Sequence, residues 1–253
     1  MRAVWSGSIS FGLVTIPIKL YSAVSSKSGS FRLLHEKHNA PIRYKRFCEK
    51  CNKEVAWDEI TKGVEIAKNK YVVLSKDEIK KIKPEKTETI DIKEIVDLNQ
   101  IDPLYFNSHY YIGPYQTKQK SFFLFKEVLQ STAKVAIGTF VLRDKEYVCA
   151  IESYKEGMLL TTLNYANEIK NISDLEELKS APKLSKEEFK LATELINKIT
   201  VKEFHIDKYE DTFSQELKKL MRKKDKGEII IEEKKKPTKK EKDLVTALKE
   251  SLR

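Results

Sequence analysis

Apolar and polar residues alternate with a period of two along much of the first two thirds of the chain, which is typical of β-strands with one buried face. In residues 9–24 the alternation changes phase near Gly12, which predicts a bulge or a bend there. Pro17 favours an edge position, because proline cannot donate a hydrogen bond to a strand ladder. Short alternating segments predict further strands at residues 31–34, 42–47, 64–66, 71–74 and 89–96, and a meander at 135–142, 147–151 and 158–163. Short strands with polar connections predict an all-β barrel or sandwich.

Two helices interrupt this β pattern. Ser75 and Glu78 have the spacing of a capping box, which predicts a short helix that ends before Pro84. Residues 118–132 predict a second helix, whose apolar face is expected to pack in the core. That face carries Phe122, Phe125, Val128 and Leu129.

After residue 165 the apolar period changes from two to 3.6, which predicts a helical region. Ser185 and Glu188 form a second capping box at the start of one amphipathic helix. A further helix carries Tyr209, Phe213, Leu217, Leu220 and Met221. We expect these two helices to pack on the β core or to clasp a second subunit.

The end of the chain has a different composition. Residues 222–253 hold 12 Lys and Arg against 7 Asp and Glu, which together with Pro237 predicts a mobile basic tail. A terminal helix this short is marginal in water, so we expect it to form only against a partner, with a frayed end as the alternative. Its apolar face carries Leu244, Val245, Leu248 and Leu252.

The net charge of the chain indicates which class of partner to expect. The chain of 253 residues has a formal net charge of +10 and 34% charged residues, so a polyanionic partner, either nucleic acid or an anionic membrane, is expected. A merely lysine-rich soluble surface is the alternative. No run approaches the roughly 20 apolar residues that span a bilayer, and three cysteines are too few for a disulfide framework. These features indicate a cytoplasmic protein and weaken the membrane interpretation.

Signatures of catalysis are absent from the sequence. We find no glycine-rich phosphate loop, no Gly-x-Ser-x-Gly elbow and no His-Glu-x-x-His pattern, and the carboxylates are scattered among lysines. We therefore expect no catalytic residues and no enzyme. A metal-dependent nuclease built from ordinary Asp and Glu residues stays open as an alternative.

Two of the three cysteines have a spacing that indicates a possible metal site. Cys48 and Cys51 have the spacing of a zinc half-site, and His35 and His38 lie upstream with the same gap. Four such residues, or ligands shared in a dimer, would close a structural zinc site, with Cys48, Cys51 and His35 as the favoured ligands. The alternative is a pair of ordinary thiols, so no cofactor is required. Cys149, inside the meander, is expected to be a small buried hydrophobic residue.

Basic residues near residue 43 are the best candidates for direct contact with nucleic acid. Arg43, Lys45 and Arg46 lie within the predicted strand 42–47, where they suit phosphate contacts, and an ordinary basic edge strand is the alternative. A more diffuse basic set comprises Lys118, Lys120, Lys126, Lys134 and Arg143. No motif for reading base sequence is present, so binding would rest on phosphates and shape and would weaken steeply with salt.

Several segments, in order along the chain, resemble the prokaryotic Ku family of DNA-end-binding proteins. The resemblance runs from residue 1 to about residue 220 without a large gap. It rests on Met1–Tyr21, Ile42–Arg46, the Cys48-x-x-Cys51 pair, Tyr71–Leu74, Ile101–Phe106, Tyr110–Tyr111 and Lys134–Ile137. One departure is at Asn164–Ala166, where relatives often have Arg and Pro around the tyrosine, so a DNA contact at Asn164 is in doubt.

The resemblance implies a mainly β fold with helices: a Ku-type β-barrel core, a helical C-terminal arm and a flexible basic tail. Residues 1–183 would form the barrel with a bridge that encircles DNA, 184–226 a helical arm that clasps the other subunit, and 227–253 the tail with a terminal helix that docks a ligase.

The same resemblance implies a function. Two identical subunits would form a ring that threads over ends of linear double-stranded DNA and recruits DNA ligase D, in double-strand break repair by non-homologous end joining. Such a protein would be cytoplasmic and associated with the nucleoid. A general basic protein that coats duplex DNA without needing ends is the first alternative, and the nuclease named above is the second.

Overall fold

The structure is a computed structural model, and it describes residues 1–25, 31–83, 88–180, 182–225 and 244–252. The chain divides into two compact units. The first comprises residues 1–27 and 31–171, and the second comprises residues 28–30 and 172–253. Residues 226–243 of the predicted mobile tail, which include the lysine runs at 234–236 and 239–240, lie outside the described residues.

Eleven strands occur in the described part of the first unit. They are β1 (Trp5–Phe11), β2 (Val14–Ser22), β3 (Phe47–Cys48), β4 (Lys53–Glu54), β5 (Lys62–Ala67), β6 (Lys70–Leu74), β7 (Thr89–Asp97), β8 (Phe106–Pro114), β9 (Lys134–Leu142), β10 (Lys145–Tyr154) and β11 (Gly157–Leu163). The same unit has two α-helices in its described part, α1 (Lys76–Ile82) and α2 (Lys120–Thr132).

Seven strands close into a barrel in the order β1-β2-β8-β11-β10-β9-β7, which confirms the predicted mainly β fold with helices. Neighbours run antiparallel except at the closing seam, where β1 pairs in parallel with β7 through Ser8–Ser10 and Thr89–Asp91. The meander predicted from three alternating segments is β9, β10 and β11, paired as expected.

The bulge or bend expected near Gly12 is a hairpin turn. Phe11 pairs with Val14, so Gly12 and Leu13 form a two-residue connection between β1 and β2. Gly12 has a φ of +59°, a conformation that glycine adopts without steric cost and that tight hairpin turns require. The change of phase therefore marks the point where the chain reverses. Pro17 lies in β2 just beyond the residues that pair with β8, Ile18–Ser22, so its missing N–H costs no bond on that side.

The core fills the barrel and its mouth beneath α2. Phe122 and Leu129 of that helix are almost completely buried, and Phe125 is also buried, as predicted. Val128 is 48% exposed, so only three of the four apolar residues predicted for that face turn inward. Burial also raises the pKa of the Cys149 thiol to about 12, which agrees with its predicted role as a buried apolar residue. The inward side chains of the strands include Ile9, Ile16, Ile18, Leu20, Ile90, Ile112, Phe140, Ile151 and Leu160.

A long segment is inserted between barrel strands β2 and β7. It contains the β3–β4 hairpin, the β5–β6 hairpin and α1. The strand predicted at 31–34 is wrong, since only a single bridge joins Leu34 to Pro41 there. The strand predicted at 42–47 is likewise reduced to β3 at its end. These residues are exposed and have no core to alternate against, so their pattern does not fix a strand.

The second unit is helical in its described part, with α3 (Lys186–Ile199), α4 (Thr212–Asp225) and α5 (Leu244–Leu252). The capping box predicted at the start of α3 is present: the Ser185 hydroxyl accepts the N–H of Glu188 at 3.2 Å. Helix α4 begins at Thr212, so Tyr209, which was predicted to lie on this helix, precedes it and packs on Phe204. None of the described helices is long and apolar enough to cross a bilayer.

Candidate nucleic-acid interface

The basic residues near residue 43 stand on an exposed, irregular segment that leads into β3. Arg43 is exposed, whereas the Lys45 ammonium lies 2.7 Å from the Glu54 carboxylate. The Arg46 guanidinium lies 3.7 Å from the centre of the Trp57 ring, in a cation–π contact. Of the three, Arg43 is therefore the most available for a phosphate, because the other two already have partners within the chain.

The more diffuse basic set lies on several different elements. Lys118 precedes α2, Lys120 starts it, and Arg143 occupies the hairpin turn between β9 and β10. Lys134 lies 2.8 Å from Asp97, so its charge is partly neutralised. These exposed cations suit a broad phosphate-facing surface more than a single binding pocket.

Lys126 differs from the rest of that set because it is 8% exposed. Its ammonium donates to Gln130 at 2.9 Å and to Glu127 at 3.1 Å. A cation held in this way within α2 is a structural residue, and it is poorly placed to meet DNA.

Four lysines that the sequence did not single out surround a cleft of about 570 Å³. They are Lys62, Lys76, Lys80 and Lys83. The cleft lies between the 3-10 turn at Trp57–Glu59 and helix α1, and Trp57 is part of its wall. In the sequence, Lys76, Lys80 and Lys83 follow each other at four and three residues, which places them on one face of a helix. This spacing indicates a shared site only once that face of α1 is known to border a cavity.

Cys48 and Cys51 come together at the turn of the β3–β4 hairpin. The N–H of Asn52 donates to the carbonyl of Cys48 at 2.8 Å, and Asn52 has a φ of +50°, so the turn is tight. Hydrogen bonds from the backbone N–H of Cys51, its side chain and the N–H of Lys50 lower the pKa of the Cys48 thiol. Such N–H donors favour a thiolate, the form that binds metals.

His35, the histidine predicted to bind zinc, makes other contacts in the structure. His35 stacks on His38 with ring centres 5.0 Å apart, and its Nδ1 accepts the N–H of Lys37 at 3.2 Å. In the part of the chain that the structure describes, no three His, Cys, Asp or Glu side chains are grouped so that they could hold a metal ion. The hairpin thus supplies two thiols, which is half of a tetrahedral zinc site.

The residues predicted to dock a ligase lie on α5, and this helix packs against α3. Val245, Leu248 and Leu252 are half-buried, whereas Leu244 is 54% exposed. The Lys249 ammonium lies 2.8 Å from the Glu187 carboxylate, and Lys198 donates to the carbonyl of Leu252 at 2.8 Å. Helix α3 thus covers part of the apolar face of this helix within the chain.

The chain resembles known proteins along its whole length. A family model described as the Ku70/Ku80 beta-barrel domain matches residues 10–191. Non-homologous end joining protein Ku of Bacillus subtilis is 37% identical over 257 residues, which cover all of this chain and 82% of that protein. The proteins of the same name from Archaeoglobus fulgidus and Heliobacterium modesticaldum are 37% and 36% identical, again over all of this chain and over 98% and 91% of their own lengths.

Proposed function

This chain belongs to the Ku family, and from that premise we propose that it binds the ends of double-stranded DNA in break repair by non-homologous end joining. The observation that carries the proposal is the full-length similarity to relatives that are named for this process. The charge of +10 and the exposed Arg43, Lys118 and Lys120 support a partner rich in phosphate.

Recognition of ends without recognition of sequence is the next part of the proposal. Contacts to phosphates fix position on a duplex but carry no base information, so a protein that uses only these needs another way to select ends. A closed ring of two subunits provides one, since it can load only by threading over a free end. The inserted segment between β2 and β7 is the part of the first unit proposed to complete that ring.

Assembly into a homodimer is supported by the apolar side chains that the second unit leaves exposed. On α3 the exposed fractions are 68% for Phe189 and 61% for Ile196, and Phe213 on α4 is also exposed. Soluble proteins rarely leave such residues contiguous and uncovered, and a two-fold contact buries the same patch on both subunits. We propose that α3 and α4 form this contact.

Recruitment of DNA ligase D is proposed to use α5. Its half-buried residues would have to leave α3, or meet the ligase together with α3, in order to dock. Deletion of residues 243–253 should leave DNA binding intact and abolish stimulation of the ligase. Undiminished stimulation by the shortened protein would contradict docking through this helix.

A structural zinc ion also remains a proposal. Cys48 and Cys51 would supply two thiolates, and the other ligands would come from His35 after a change in its ring contacts or from a second subunit. Metal analysis of the purified protein should then find zinc, and substitution of both cysteines by serine should remove it. Zinc-free wild-type protein would show that the two cysteines are ordinary thiols.

The first experiment compares one duplex as a linear fragment and as a covalently closed circle, by gel shift in matched salt. A threaded ring predicts binding to linear DNA alone, and retention on a fragment that is circularised after loading. Equal binding to both forms would favour a general duplex-coating protein. Loss of labelled duplex with magnesium or manganese would favour the nuclease alternative.

A further inference from the structure

The lysine-lined cleft of the first unit combines the size of a small-molecule site with positive charge and an apolar wall. It has a volume of about 570 Å³, which is within the range of small-molecule sites. Four lysines surround it, and none of the described residues in its wall is acidic. Apolar side chains form the rest of the wall, chiefly those of Trp57, Leu74 and Ile79.

Helix α1 separates its charges so that the cations meet the cleft. Positions 76, 80 and 83 follow each other at four and three residues and share one face, whereas Asp77 and Lys81 lie off that face. Glu78 turns back to accept the N–H of Ser75 at 2.8 Å. The positive charge at this face therefore results from the placement of residues along α1, rather than from a general excess of lysine.

Three of the four cleft lysines are available to a ligand. Lys83 lies 2.8 Å from Asp144. Among the described residues, no ion pair involves Lys62, Lys76 or Lys80. Three unpaired ammonium groups around one cavity repel each other, and a bound anion would relieve that repulsion.

Trp57 makes the cleft suitable for an aromatic group as well as an anion. The residue is 69% exposed. The Arg46 guanidinium lies 3.7 Å from the centre of its ring and is not part of the cleft wall, which Trp57 itself lines. An aromatic surface beside cations is the combination with which proteins bind nucleotides, since the base stacks and the phosphates meet the charges.

We propose that this cleft binds an unpaired nucleotide at a DNA end, with the base stacked on Trp57 and the phosphates held by Lys62, Lys76 and Lys80. A base inside a duplex is already stacked on its neighbours, so the ligand is a nucleotide of a single-stranded overhang. The inference rests on the proposed binding of DNA ends, and it adds a preference for one end structure.

The test uses the full-length protein and hairpin duplexes with a single open end, either blunt or with a short overhang, in matched salt. Wild type should bind the overhang form about tenfold more tightly, the scale of one stacked base. Trp57→Ala should lower the affinity for the overhang form to that for the blunt form, whereas Trp57→Phe should keep most of the preference.

Lysine variants provide a second, independent readout. Lys76→Ala with Lys80→Ala should reduce the overhang preference, and Lys81→Ala on the same helix but off the cleft face should preserve it. Equal wild-type affinity for the two ends, or a Trp57→Ala loss shared equally by both, would overturn the nucleotide site. Absence of blunt-end binding by wild type would instead refute the proposed end-binding function.

Discussion

Gly138 of β9 shows how closely the barrel wall is packed at the level of one residue. A Cβ at this position would lie 2.7 Å from the carbonyl oxygen of Asp91 on the neighbouring strand β7. Backbone cannot yield as a side chain does, so Gly138→Ala should destabilise the protein by about 1–3 kcal/mol. Thermal denaturation should show a lower melting temperature, whereas Gly113→Ala, whose nearest neighbour is the ring of Tyr21 at 3.3 Å, should be much milder. Similar losses from both substitutions would argue against this difference.

Single cations differ in what they can contribute to DNA binding. Arg43→Ala should flatten the dependence of log K on log salt by about 0.9, the amount expected for one phosphate contact. Lys45→Ala should flatten it less, because Glu54 already lies 2.7 Å from that ammonium. Gel shifts over a series of salt concentrations measure both slopes. An unchanged slope for Arg43→Ala would remove Arg43 from the interface.

The sequence predicted which of these side chains are buried, but it did not predict which side chains contact each other. Cys149, Phe122 and Leu129 are buried as expected, because apolar residues at regular spacing have one energetically favourable place. The contact between Arg46 and Trp57 was not foreseen, since nothing in the spacing of these two residues says that a hairpin brings them together.

Among the elements, α1 begins with a cap that responds to pH. The Glu78 carboxylate accepts the hydroxyl and the N–H of Ser75, and these two bonds lower the pKa of that carboxyl. A lowered folded-state pKa stabilises the helix above the ordinary carboxyl value of about 4.3, and the effect is lost as pH falls through the lower value. The protection factors of the amides in residues 75–83, which compare their exchange with that of an unstructured peptide at the same pH, should therefore fall in acid, and Glu78→Gln should remove most of that pH dependence. Acid-independent protection in wild type would contradict the role of this cap.

Helix α5 should depend on α3 for its structure. Nine residues form too short a helix to be stable alone in water, so the half-buried Leu248 holds it only while α3 is present. Leu248→Asp on α5 and Leu191→Asp on α3 should each speed hydrogen exchange of residues 244–252. Leu244→Asp, at a mostly exposed position, should have little effect. Protection that survives Leu191→Asp would mean that α5 is stable without α3.

Local signals account for which elements the sequence predicted. The capping boxes of α1 and α3 were found because both partners lie within four residues. Strand β8 escaped prediction because its sequence, Phe106–Pro114, lacks a clear alternation, and its place is set by pairing with β2 and β11. For α5, the sequence predicted the apolar face but did not predict that α3 packs against it.

At the scale of the whole molecule, the proposed dimer depends on the exposed apolar side chains of the second unit. Phe189→Asp with Ile196→Asp should convert the proposed dimer to monomers, as measured by sedimentation, and should abolish retention on circularised DNA. Asn197→Asp adds a charge to the same helix without removing an apolar group, so it should leave the dimer intact. A double variant that stays dimeric would place the two-fold contact elsewhere.

Closure of the barrel is the large-scale feature with the widest consequence. Ser8 and Thr89 meet at the parallel seam although 81 positions separate them along the chain. The entropy lost when such a loop closes grows only with the logarithm of its length, by about 0.6 kcal/mol for each doubling. Folding rate, by contrast, falls as contacts become more distant in sequence. Chains with longer or shorter segments between β2 and β7 should therefore differ in how fast the barrel forms far more than in how stable it is, so barrel stability alone does not fix the length of that segment.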